Sequence, residues 1–148
     1  MLISRRNVLK GSMATTFAGA AASLLPARAV TMPVARPLAS TGEMLPLVGL
    51  GSWITFNVGN NQKLLDASSD VMAAFFENGG RMIDSSPMYG SSQATIGYGL
   101  KKLGMPKTLF SADKVWTSSA GNGGRQIETS RGHWGVPGFD LVQVHNLV

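Results

Sequence analysis

Four polar residues of this chain carry side chains that together can move a proton onto an oxygen: Asp84, Tyr89, Lys114 and His145. A tyrosine is a proton donor, but a free phenol titrates only near pH 10. A cation beside it favours the phenolate and brings proton transfer toward working pH. Lys114 is the candidate cation, and Asp84 is a carboxylate able to pair with it and orient it. His145 can hydrogen-bond a substrate oxygen and polarise a carbonyl. Taken singly, each has an ordinary structural role: capping Asp, loop Tyr, salt-bridged Lys, core His. Their common placement argues for chemistry, because each falls near the C-terminal end of a stretch that reads as a strand.

The elements that must position them can be read in order. Residues 37–45 suggest two short arms around Thr41-Gly42, either a small hairpin or a linker. Residues 47–53 read as a first strand. Gly49 and Gly51 do not form a dinucleotide fingerprint, because position 54 is Ile rather than Gly. Residues 64–78 alternate as an amphipathic helix, with Leu64, Leu65, Val71, Met72, Phe75 and Phe76 on one face and Asp66, Ser69, Asp70 and Glu77 mostly on the other. Met82 and Ile83 lead to Asp84, then to a turn marked by Pro87 and Gly90. Ser91 or Ser92 can cap the next helix, where Ile96, Leu100 and Leu103 recur at helical spacing. A third strand covers 109–116, a weaker helix runs from Arg125 to about Arg131, and His133 falls in a Gly-rich, solvent-facing stretch. A fourth strand, 139–146, holds His145. Strand and helix alternate throughout, which predicts parallel strands near 48–53, 81–84, 109–115 and 140–145 joined by crossover helices. In a parallel barrel the strand ends meet on one face, where loops build the site.

The segment Asp84-Ser85-Ser86-Pro87-Met88-Tyr89 resembles the second strand and following loop of the aldo-keto reductases, with the family's spacing from Asp to Tyr. With Lys114 and His145 the resemblance takes in the whole catalytic tetrad pattern and covers roughly residues 36–148. It implies a (β/α)8 barrel of the TIM type, here about its first four β/α units, preceded by a hairpin that plugs the barrel bottom. It further implies reduction of a small carbonyl substrate, an aldehyde or ketone, with hydride from NADPH or NADH and a proton from Tyr89. Ser52, Trp53 and Asp84 would then lie beside the nicotinamide. From the residues alone, Trp53 is equally a core residue.

Composition limits the alternatives. The chain has 148 residues, 44% of them hydrophobic, 14% charged and none cysteine, which excludes disulfides and thiolate sites. Two histidines, far apart, do not suggest a metal site. Four of the 13 basic residues (Arg5, Arg6, Lys10, Arg28) and none of the 8 acids precede residue 30, so 9 basic and 8 acidic residues lie beyond it. The excess charge therefore belongs to a leader, and nucleic acid is not an expected partner. Ser4 to Lys10 resembles the twin-arginine export consensus; an Ala- and Gly-rich run from Met13 to Leu25 follows, and Ala27-Arg28-Ala29 offers a cleavage site. Residues 1–29 are thus expected to be a twin-arginine-type signal peptide that engages the export machinery and sends residues 30–148 to the periplasm or medium.

A barrel of this type takes about 250 residues, against the 119 that follow position 29. The family's later strands, which supply most cofactor contacts, lie outside this sequence. The expectation is a piece of an exported reductase. The alternatives are self-association of two half barrels, or an inactive exported remnant with a binding or structural role.

Overall fold

The computed structural model describes residues 32–146; the expected export leader lies outside them. A hairpin comes first. Strands β1 (Ala35–Pro37) and β2 (Met44–Pro46) pair antiparallel. Gly42 closes the turn with φ of 73°, and its N–H donates to the Leu38 carbonyl at 2.8 Å. Arg81 fastens the hairpin to the main sheet. Its guanidinium donates to the Met44 carbonyl at 2.7 Å and the Thr108 carbonyl at 3.0 Å, and pairs with Glu43 at 2.5 Å.

The main sheet has four parallel strands in sequence order: β3 (Leu50–Gly51), β4 (Met82–Asp84), β5 (Phe110–Val115) and β6 (Leu141–Val144). Helices α1 (Gln62–Glu77), α2 (Ser92–Lys102) and α3 (Gly123–Trp134) form the crossovers. A strand order that never reverses, with right-handed crossovers, puts all helices on one face of the sheet. This is the arrangement of a partial (β/α) barrel, not of a doubly wound sheet, whose order reverses at a switch point.

The core lies between sheet and helices: Met72, Ile83, Ile96, Leu100 and Trp134 are fully buried, with Phe56 and Val136 beside them. Two glycines make the close approaches. A Cβ on Gly49 would meet the Met82 side chain at 2.5 Å, and one on Gly97 would strike the His133 carbonyl where α2 crosses α3. Asp66 on α1 locks onto α2, accepting from Tyr98 at 2.9 Å and Lys102 at 2.5 Å. Lys102, then Gln62 and Tyr98, hold its carboxyl down at about 2.

Several expectations need correction. The first strand is far shorter than 48–53. It is an edge strand with a partner on one side only, and Ile54 takes a positive φ of 63° that turns the chain away. Leu64 and Val71 are exposed rather than core. They flank an apolar groove of about 450 Å³ with Leu50, Phe56 and Val58, beside the edge strand, where no further element packs among the described residues. Ser69, expected on the polar face, is buried, and its hydroxyl is satisfied by the Leu65 carbonyl at 2.8 Å. Ser91 is the N-cap residue of α2 but does not cap it with its side chain; its hydroxyl instead accepts from Gly59 N–H and donates to Asn57. The third helix is longer than 125–131. Trp134 anchors its last turn edge-on to Phe139, centroids 5.5 Å apart, and Gly135 ends it with φ of 71°. His133 is exposed, as expected, but lies within this helix.

Candidate active site

Side chains alternate across a strand, and the site is built on that alternation. On β4, Ile83 turns into the helix-side core and Asp84 emerges on the other face at the strand end. On β5, Asp113 turns toward the helices and Lys114 toward Asp84. In the sheet register Ala112 is opposite Asp84, so Lys114 stands two residues further along, roughly 6.6 Å. Its long side chain leans back across that step.

Lys114 Nζ donates to both Asp84 oxygens, at 2.6 and 2.5 Å, and to the Ser85 carbonyl at 2.9 Å. The lysine side chain is 13% exposed and the aspartate 29%. All three ammonium protons are thereby engaged. Lys114 reaches Tyr89 through space, with Nζ 5.5 Å from the ring centroid, and no hydrogen bond joins it to the phenol. The bidentate hold of Asp84 thus keeps the ammonium near the Tyr89 ring.

His145 follows β6, where its backbone N–H donates to the Val115 carbonyl at 2.8 Å. Its ring meets that of Tyr89 edge-on, centroids 5.7 Å apart at 84°. Trp53, 62% exposed, is tilted at 45° to Tyr89 with ring centroids 6.4 Å apart. Asp84, Tyr89, Lys114 and His145 therefore surround one face, with Trp53 on its rim. Ser52 is fully buried and presents no side-chain surface to a ligand; its hydroxyl has no hydrogen-bond partner, while its N–H donates to the Asp84 carbonyl at 3.1 Å. A cleft of about 700 Å³ opens beside His145, lined by Trp116, Thr117, Ser118 and Asn146.

Two supporting groups escape sequence reasoning. Ser86 is fully buried, and its hydroxyl lies 2.9 Å from His145 Nδ1. Asp113, also buried, accepts from Gln93 of α2 at 2.6 Å and from Lys114 N–H at 2.8 Å; Gln93 in turn donates to Ser130 of α3 at 2.8 Å. Burial pushes the Asp113 carboxyl above the ordinary aspartate value, against the pull of these hydrogen bonds and of Lys114. This network ties both helices to the strand residue from which Lys114 projects. The sequence signal for it is an acid in the middle of a strand.

Fold and site together define a parallel β/α half barrel with polar chemistry at its strand ends. Residues 47–148 match the aldo/keto reductase family, and the chain belongs to that family. It is similar to a solved Pseudomonas aeruginosa protein assigned to the aldo-keto reductases, at 25% identity and a TM-score of 0.67, over 80% of this chain and 49% of that one. An aldo/keto reductase from Brucella melitensis matches at 24% identity and TM-score 0.60, over 78% of this chain and 41% of its own. An aldo-keto reductase from Klebsiella pneumoniae, solved in complex with NADPH, matches at 18% identity and TM-score 0.64, over 76% and 39%. The chain thus spans about half the length, or less, of the structures it matches.

Proposed function

We propose that this chain carries the proton-transfer part of an NAD(P)H-dependent reductase acting on aldehydes or ketones. The observation that carries the reading is the Asp84–Lys114 pair set beneath Tyr89, with His145 facing the same phenol. Tyr89 gives its proton to the oxygen of the substrate as negative charge builds there. Lys114 stabilises the phenolate left behind, and Asp84 with the Ser85 carbonyl holds the ammonium in place. His145 hydrogen-bonds the same oxygen and polarises the carbonyl. Trp53 and Asp84 offer an aromatic wall and a polar edge at the site, and Thr117, Ser118 and Asn146 line the neighbouring cleft; these residues fit the nicotinamide end of a dinucleotide. When bound, the reduced nicotinamide supplies hydride to the carbonyl carbon.

The family's remaining strands would complete the cofactor site, and loss of positioning is worth orders of magnitude. The purified chain is therefore expected to oxidise NADPH slowly against an aldehyde panel. Tyr89→Phe should lower that rate by about a hundredfold while leaving the circular dichroism spectrum unchanged. Equal rates for the two proteins would remove Tyr89 as proton donor. The same reading takes residues 1–29 as a twin-arginine-type leader, on the strength of Arg5-Arg6 and the small residues at 27 and 29.

A further inference from the structure

The buried Ser86 hydroxyl has a use beyond packing. Its oxygen accepts from the Met88 backbone N–H at 3.2 Å and lies 2.9 Å from His145 Nδ1. A hydroxyl has one proton to give. Among the described residues His145 Nδ1 is its hydrogen-bonding partner besides Met88, and Met88 is a donor. Two arrangements can be written. In one, Ser86 donates to Nδ1, so the imidazole proton sits on Nε2. In the other, Nδ1–H donates to Ser86, and the hydroxyl proton is left without an acceptor at a residue with no solvent exposure. Orphaning a buried donor is unfavourable enough to disfavour the second arrangement by roughly tenfold or more.

We propose that Ser86 is a positioning residue that fixes His145 as the Nε2–H tautomer and leaves that proton free to meet a carbonyl oxygen at the Tyr89 face. The role assigned to Nε2–H rests on the reductase reading above; the tautomer itself rests only on Ser86, Met88 and His145. The arrangement also separates the duties of the two acids. Tyr89 gives up its proton, whereas His145 keeps its own and acts as a hydrogen-bond donor throughout. A neutral imidazole is the state that can do this while Nδ1 accepts from Ser86.

The chain has only two histidines, which makes the test direct. The full chain is labelled with 15N-histidine, and two-bond 1H–15N correlations are recorded near pH 8.5, about two units above the free imidazole value. Exposed His133 on α3 serves as the internal reference. Wild-type His145 should show an unprotonated Nδ1 and a protonated Nε2. Ser86→Ala should shift His145 toward the mixed-tautomer pattern of His133, lowering its tautomer ratio at least about fivefold. Ser86→Thr, which keeps the hydroxyl, should hold the wild-type pattern and decides the matter if the alanine variant fails to fold. A protonated Nδ1 in the wild type overturns the proposal. So does a wild-type pattern that survives Ser86→Ala, or one that a folded Ser86→Thr loses. No cofactor or substrate enters these spectra. Failure of Tyr89-dependent reduction would sink the reductase reading and leave the tautomer standing, and the reverse result would do the opposite.

Discussion

Replacing Lys114 with Met tests the centre of the site without changing its size much. The ammonium lies 2.5 to 2.6 Å from the two Asp84 oxygens. At an effective dielectric near 20, that separation corresponds to a gross attraction of about 6 kcal/mol, most of it offset by the desolvation of both ions. Removing one partner from a fully buried pair costs about 3–5 kcal/mol, whereas exposed pairs contribute about 0–1 kcal/mol. With side-chain exposures of 13% and 29%, this pair stands between those limits. Lys114→Met should therefore destabilise the chain by about 2 kcal/mol, because Asp84 keeps its charge and the Ser85 carbonyl loses its donor. Asp84→Asn should cost less, about 1 kcal/mol, since the lysine retains a carbonyl on each side. The double variant leaves no lone charge and should fall short of the sum by about 1–2 kcal/mol. Urea unfolding at neutral pH, followed by tryptophan fluorescence and circular dichroism, gives all four corners of the cycle. A Lys114→Met protein within about 0.5 kcal/mol of wild type, or strictly additive variants, would refute the view that Asp84 holds Lys114 in place.

Three further outcomes follow from the same geometry. Because the folded carboxyl of Asp113 lies above the ordinary 3.8, the folded state binds that proton more tightly. Its stabilising effect is whole below the unfolded value and is lost as pH rises through the folded one, so Asp113→Asn should gain stability over wild type as pH rises above about 4 and lose that advantage in acid; a pH-independent difference would contradict the burial argument. The β6 edge, with Val144 exposed, should drive concentration-dependent self-association visible by sedimentation. Val144→Lys should suppress it, and a strict monomer at all concentrations would show the open edges to be benign. Export should fail when Arg5 and Arg6 become Lys, leaving the precursor in the cytoplasm; undiminished export would dismiss the twin-arginine reading.

What could be read from the sequence was what a residue does within its own segment. Alternating strand and helix, Asp84 and Lys114 at strand ends, and the turn at Gly42 are local patterns, and parallel topology follows from them with few alternatives. The errors arise where a distant neighbour decides. Leu64 and Val71 have the spacing of core residues, but among the described residues they line an open groove beside the edge strand β3 instead of the core. Trp134 sits among glycines that suggest a loop; Phe139 and the close crossing of α2 at Gly97 make it the anchor of a helix.

The same division runs through the site. Asp113 and Lys114 are adjacent in sequence, opposite charges at neighbouring positions of one strand. The pleat sends them to opposite faces, so the lysine finds its counter-charge 30 residues back at Asp84. Asp113 is left to amide and hydroxyl partners from two helices. Ser86 reaches His145 across 59 residues, a distance at which no spacing rule operates. The residues proposed to carry the chemistry sit where strands end and are visible as types. The residues that orient them are small, buried and contributed by other elements, so only the assembled fold reveals which serine in a run of serines controls the imidazole.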